Sequence, residues 1–447
     1  MIKINFIILA ILFVVFTSRG QSNLSERLQY KFHRIDSVIS VNWKNEITRN
    51  KELPYPYITA FSNDPCMFYW DTYFINKGLI ACNNLKLAKQ NTLNILSVVD
   101  RFGYMGNASV TTWGMNRSQP PYLSEMVRDI YLAEKDKQFL RYAYPILKQE
   151  YLFWTSVGVN VIEDHSTSIN GLQRYSHHAT KAELRDLYDG IAERICLRKD
   201  ISNDQKSIIG SNYATEAESG MDFTSRFDSQ CAEYIAVDLN SLIYNMENNL
   251  QWMKITLQLS DQPDWAKRAK KRKRLLDQYC WDDKVGMYFD FNFVTGKKSR
   301  HAAVTTFQPL WAGMASKNQA KRVLNNIQIF DTQYGLTTLD KTDPDEKYQW
   351  GSSSIWAPMQ LIVVDGLRNY GFDKKATEIS QNFLILVAKN YFSPTGKNKV
   401  SENRKPGFLY EKYRSDGIVS DIEAPARNMM GWTAGVYSYL YQFLYGR

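Results

Sequence analysis

The chain has 447 residues, 44% of them hydrophobic and 14% aromatic, with 55 Lys and Arg against 46 Asp and Glu for a net charge of +9. Five scattered cysteines without a Cys-x-x-Cys pair indicate neither a zinc site nor a disulfide framework, and their odd number leaves at least one thiol free if any pair forms. The only concentrated positive run, Lys267 to Arg274, lies among Trp265, Leu275, Leu276 and Tyr279, so it reads as the solvated face of a helix and not as a nucleic-acid patch.

In chain order, residues 1–22 place Lys3 before an apolar run from Phe6 to Phe16, followed by small and polar residues. The run is too short to span a bilayer and reads as a secretory signal, giving a secreted or periplasmic protein with no membrane attachment after cleavage. Losing Lys3 and Arg19 takes the charge from +9 to +7. Residues 23–447 carry no Pro/Gly/Ser-rich linker, which favours a single catalytic domain. Helical periodicity follows: Leu28, Phe32, Ile35 and Ile39; Leu85, Ala88, Thr92, Ile95 and Val99; Leu123, Met126, Val127 and Ile130. Leu239 to Met253 and Val436 to Leu444 repeat it, for about twelve helices in all. The best strand-like stretch, Val285 to Lys298, alternates aromatic and polar residues around Thr295-Gly296 and predicts a hairpin. An all-α chain with short β-hairpin insertions suits a closed double ring of helices, but periodicity alone does not separate that from a solenoid or two bundles.

Aromatic residues stand beside carboxylates or amides in the connections: "FYWDTYF" from Phe68, "YQWGSSSIWAP" from Tyr348 and "MMGWTAGVY" from Met429. Sugars present flat CH faces and rings of hydroxyls, so a sugar pocket needs aromatic platforms together with polar side chains. Asp222, after Gly220 and between Met221 and Phe223, sits in an apolar setting that favours the neutral acid, as a general acid requires. Glu216 and Glu218, in a more polar stretch, read as ionised hydrogen-bond acceptors. A second carboxylate must activate water on the far face of the sugar. Glu423 is one choice; Asp421 and Glu411 compete, and spacing does not choose among them.

The blocks "FYWDTYF", "NRSQPP" (Asn116 to Pro121), "ESGMDFTSRF" (Glu218 to Phe227), "VDLNSLIY" (Val237 to Tyr244), "QWGSSSIWAPMQ" (Gln349 to Gln360), "EKY" (Glu411 to Tyr413) and "GWTAGV" (Gly431 to Val436) occur in the order of similar blocks in the trehalases of glycoside hydrolase family 37. The chain resembles that family from about Phe61 to Tyr445. The resemblance implies an (α/α)6 toroid of the six-hairpin glycosidase type and hydrolysis with inversion; such hydrolysis needs no cofactor, and the five dispersed histidines offer no metal-ligand set. It places the general acid on Asp222 and, nine residues before Trp432, the general base on Glu423. By the same matching Trp70, Asp71, Arg117, Gln119, Glu218, Trp350 and Trp432 line the sugar pocket, with Asn107 matched through a loop one residue longer than the family's.

Departures bear on substrate. Asn63 stands where the family has arginine, Gly351 turns its "QWD" into "QWG", and Lys181 and Glu183 of "KAEL" replace its "RPES" as sugar contacts. The expected activity is an α,α-trehalase splitting trehalose into two glucose molecules and acting as a monomer on a disaccharide or small oligosaccharide. The alternatives are a related exo-acting α-glycosidase, such as a family 63 α-glucosidase or mannosylglycerate hydrolase, and a non-catalytic sugar-binding protein.

Overall fold

The computed structural model describes residues 26–62, 64–109, 114–155, 171–341, 348–394, 404–424 and 426–446. The signal-like segment and Asn63 lie outside these residues. The described helices are α1 (26–42), α2 (Tyr69–Ala81), α3 (Leu85–Phe102), α4 (Leu123–Glu134), α5 (Lys137–Thr155), α6 (Lys181–Ile191) and α7 (Asn203–Glu218) in the first half. The second half carries α8 (Val237–Thr256), α9 (Trp265–Tyr279), α10 (Gln308–Trp311), α11 (Lys317–Asn325), α12 (Ala357–Arg368), α13 (Asp373–Phe392) and α14 (Trp432–Tyr445).

Six of these make a closed inner ring in the order α2, α4, α8, α10, α12, α14, each packed on the next and α14 packed back on α2. The reason is visible in their composition. In α14, Trp432 to Ser438, Leu440 and Tyr441 are all buried, and α2 is buried from Tyr69 to Asn76. A helix that is buried on every side belongs inside a second layer. The outer helices are one-sided: α3 buries Ala88, Thr92, Ile95 and Val99 and packs on α2, as α9 packs on α8 and α13 on α12 and α14. In α9, Asp264 caps the first turn through Lys267 N, and Trp265, Ala269, Leu275 and Leu276 face inward. Lys267, Lys270, Lys271 and Arg274 are exposed, as a solvated face requires, but Arg272 is buried against Glu247 at 2.9 Å.

The expected hairpin over Val285 to Lys298 divides in two. Met287–Tyr288 pairs back on Trp281–Asp282, while Phe291–Asn292 pairs with both Lys297–Lys298 and Tyr234–Ile235. The turn at Gly296, with φ +68°, closes only the second pair. Tyr288 and Phe291 thus serve different two- and three-stranded sheets, a division that local alternation does not register.

Ring closure depends on two glycines. A Cβ on Gly78 of α2 would stand 2.3 Å from the Cα of Gly435 in α14, and one on Gly435 would stand 2.2 Å from the carbonyl oxygen of Phe74. Backbone meets backbone there, so neither position has a flexible side chain to move aside. Gly435→Ala should therefore destabilise the fold by about 1 to 3 kcal/mol through overpacking, read as a lowered urea midpoint. A midpoint unchanged from wild type would mean that the two helices separate without cost.

Candidate active site

The close approach of α2 and α14 brings their first residues together. The Trp70 and Trp432 rings meet edge to face at 5.9 Å, and Trp350 lies 5.7 Å from Trp70 while stacking on Trp356 at 3.9 Å. Above this aromatic floor is a cavity of about 380 Å³, within the size range of small-ligand sites. Its walls carry the carboxylates of Asp71, Asp222 and Glu411, the guanidiniums of Arg117, Arg194 and Arg427, and the amides of Asn107 and Gln119. Flat rings below and bidentate polar groups around the sides make a surface suited to a sugar.

Burial shapes the acids. It pushes Asp71 up to about 8, with Glu411 and then Asp222 adding to the effect. Burial raises Glu411 as well, against the pull of Lys412. Asp222 is raised first by burial and then by the charge of Glu423, with Arg117 and Lys412 opposing. Lys412 links the two carboxylates: its Nζ donates to Gln349 Oε1 at 2.8 Å, Gln349 Nε2 donates to Asp222 Oδ2 at 3.2 Å, and Nζ stands 3.9 Å from Glu423 Oε2.

The loop that presents Asp222 is held from both sides. Helix α7 ends at Glu218, and Gly220 follows in a left-handed conformation (φ +74°) with Trp70 ring carbons where a Cβ would lie, the nearest at 2.7 Å. Glu216 accepts the Thr224 N–H at 3.0 Å. Beyond the loop, the fully buried Arg226 binds Asp238 and Asp290, each at 2.7 Å. Phe223, directly after Asp222, is strained at φ +63° and packs under the Arg194 guanidinium at 5.1 Å. Glu216 is the acceptor the sequence suggests, but not an ionised one: burial pushes it to about 8.

Glu423 lies in the connection between Tyr413 and Trp432, behind the cavity lining, and its backbone is also left-handed at φ +68°. Its side chain is 1% exposed, with Arg194 Nη2 2.5 Å from Oε1 and Lys412 Nζ 3.9 Å from Oε2. Both contacts are held by charge; neither oxygen accepts an aligned hydrogen bond from the described residues. The competitors part here. Asp421 is tied to Arg404, away from the cavity, whereas Glu411 is in its wall.

Of the expected pocket residues, Trp70, Asp71, Asn107, Arg117, Gln119 and Trp432 line the cavity together with Asp222. Gln119 Oε1 also accepts the Trp70 N–H at 3.2 Å, fixing the start of α2. Glu218 and Trp350 stand behind the lining. Glu218 accepts the backbone N–H groups of Ser118 at 2.9 Å and Ser176 at 2.6 Å, so it shapes the segment bearing Arg117. Lys181 and Glu183 are not brought to the cavity, because "KAEL" is the first turn of α6: Lys181 is exposed, and Glu183 closes a capping box with Thr180. Glu183 reaches the site only indirectly, through Asn116 at 3.3 Å, which in turn accepts from Arg117 at 2.8 Å.

Sequence reading missed Arg194, Gln349, Lys412 and Arg427 as site groups. Gln349 and Lys412 lie inside quoted blocks, so a search for donors flanking the acids could have raised them. Arg194 sits in "AERICLRKD", a stretch with no signal of its own, and arrives from the turns after α6, which packs on α7, to meet Glu423.

A profile of the trehalase family matches residues 36–444. The chain belongs to the trehalase family. Its relatives include the cytosolic neutral trehalase of Kluyveromyces lactis, 27% identical over 86% of this chain and 56% of that protein, and the periplasmic trehalase of Xanthomonas campestris pv. campestris, 28% identical over 86% and 67%. The chain thus spans little more than half the length of the fungal relative. Neutral trehalase Nth1 from Saccharomyces cerevisiae shares the fold, an (α/α)6 toroid, with a TM-score of 0.69 at 24% identity over 86% of this chain and 72% of that one. The family 63 mannosylglycerate hydrolase of Thermus thermophilus also superposes, with a TM-score of 0.61 at 17% identity over 90% and 99%.

Arg194 is 46% exposed on its side chain, yet it makes the shortest contact to Glu423. Any glycosidase activity of the purified chain should fall in kcat by about ten- to a hundredfold in Arg194→Ala, the worth of one charge-assisted contact, with little change in the urea midpoint. Unaltered kcat would show that Glu423 is oriented without it.

Proposed function

We propose that this chain hydrolyses α,α-trehalose with inversion, Asp222 serving as general acid and Glu423 as general base. The observation that carries the reading is Asp222 in the cavity wall, with Glu423 held behind that wall 2.5 Å from Arg194 of the same lining, in a trehalase-family toroid. In the reaction Asp222 gives its proton to the glycosidic oxygen as the bond to the anomeric carbon breaks. A water attacks that carbon from the opposite face and loses its proton to Glu423, so one glucose leaves as the β anomer. Glu423 is tied to the cavity through Arg194, whose guanidinium stands in the wall and reaches Oε1 at 2.5 Å. Asp71, neutral over much of the working range with a pKa of about 8, can both donate to and accept from a sugar hydroxyl. Export through the signal-like segment is part of the same proposal and is supported by the periplasmic relative.

A second reading, an exo-acting α-glycosidase with another aglycone, draws on Gly351. The family's carboxylate is missing there, and the glycine is a buried turn residue whose carbonyl accepts Ser354 N at 3.3 Å. A hydrolysis screen of the purified chain on trehalose, kojibiose, nigerose, maltose and mannosylglycerate decides between the two readings. Trehalose should be cleaved fastest; preference for any other sugar would overturn the trehalase assignment.

Two further outcomes concern the acids. Asp222→Asn and Glu423→Gln should each lower kcat on trehalose by about 10²- to 10⁴-fold with the fold intact, and near-normal turnover in the second would move the base to Glu411. Asp222 works only while protonated, so kcat/KM should fall as pH rises through its elevated pKa. Removing the opposing charge in Arg117→Leu should shift that alkaline limb to still higher pH, whatever it does to KM. A limb that stayed in place would assign it to another group.

A further inference from the structure

The buried Gln349 touches the proposed acid and a buried cation at once. Its Oε1 accepts from Lys412 Nζ at 2.8 Å, and its Nε2 donates to Asp222 Oδ2 at 3.2 Å and to the Asp222 carbonyl oxygen at 3.3 Å. The amide could not be turned round. An ammonium group has three donors and no acceptor, so Lys412 demands the oxygen, which leaves the NH₂ group for Asp222. Nε2 thus faces both the side-chain Oδ2 and the backbone carbonyl oxygen of Asp222.

This arrangement has a chemical consequence. In a neutral carboxylic acid the carbonyl-type oxygen is the better acceptor, and the oxygen bearing the proton would turn its hydrogen toward the incoming N–H. Oδ2, facing Gln349, is therefore the acceptor oxygen, and the proton of neutral Asp222 belongs on Oδ1. Lys412 reaches the other side of the site as well. It is 1% exposed, it donates to the carbonyl oxygen of Ile422 at 2.9 Å, and it stands 3.9 Å from Glu423 Oε2. Holding Ile422 also braces the left-handed backbone of the next residue, Glu423.

We propose that Gln349 and Lys412 are positioning residues that fix the transferable proton of Asp222 on Oδ1 and set the acid and the base from a single buried ammonium. The inference rests on the reading of Asp222 as general acid. It adds that the acid is delivered with one oxygen already committed, so that only Oδ1 can protonate the glycosidic oxygen. The proton moves from Oδ1 to the leaving oxygen, and the resulting carboxylate keeps the Gln349 hydrogen bond on Oδ2.

The test compares two substrates that differ in their need for a proton. Trehalose leaves as an alcohol and depends on the acid, whereas α-D-glucopyranosyl fluoride leaves as fluoride and depends on it far less. Gln349→Met keeps the side-chain volume and leaves untouched the Trp356 Nε1 bond to the Gln349 backbone oxygen. It should lower kcat on trehalose by about 10²-fold, the lower end of acid catalysis, while glucosyl fluoride stays within about threefold and KM for both changes little. Gln349→Glu, which keeps a partner for Lys412 but loses the N–H donor, should show the same selective loss and serves if the methionine variant does not fold. Equal losses on the two substrates, or none on either, would overturn the positioning role. Wild-type protein that hydrolyses the fluoride but not trehalose would overturn the substrate reading instead, and inactivity on both would overturn the glycosidase reading on which the proposal stands.

Discussion

The contact of Gly78 with Gly435 is the constraint from which the rest of the site follows. A ring of six helices has one more interface than a row of six, and the last interface must fit a gap that the other five have already set. Here α2 and α14 close it at backbone distance. Any side chain at either glycine would part the helices, and with them Trp70 and Trp432, which stand in the first turns of the two helices and form the floor of the cavity. The aromatic floor is thus a product of ring closure. It also fixes Gly220, whose missing side chain leaves room for the Trp70 ring and lets Asp222 come up against the floor.

Carboxylates gather at that end of the ring at an electrostatic cost. Removing an ionised acid from water is unfavourable unless a cation or several donors replace the hydration. The chain answers in two ways. Asp71 and Glu216 shift to about 8, so that near neutrality their burial is that of neutral acids. Glu423 is matched instead with Arg194 and Lys412, and the Asp238 and Asp290 pair with Arg226. Left-handed backbone at Phe223 and Glu423 lies on the same two loops, and Arg194 of the cavity wall touches both residues.

The α6 and α7 hairpin lies outside the six-helix ring but completes its active end. Helix α7 delivers Asp222, and the turns after α6 deliver Arg194 to Glu423. Asp222 and Glu423 thus come from segments about two hundred residues apart, and Arg194, from the first of them, holds the second.

Much of this was legible in the sequence. Helices such as Leu85–Phe102 and Trp432–Tyr445 announce themselves because burial on one side or all round leaves its period in the chain, and Asp222 is flanked by the apolar residues that raise it. Ordered blocks of aromatic and acidic residues disclosed the family, and with it six of the residues that line the cavity. The sequence could not show that Lys181 would face solvent or that Arg194, thirteen residues later, would meet Glu423, because a helix turn decides the first and a fold-over of two helices the second. Nor could it show that Tyr288 and Phe291 part to different sheets, or that Gln349 turns its amide nitrogen to Asp222. Local pattern reports which faces are buried; partners across the ring are chosen by closure, where distances of a few ångströms between remote segments set which charges meet.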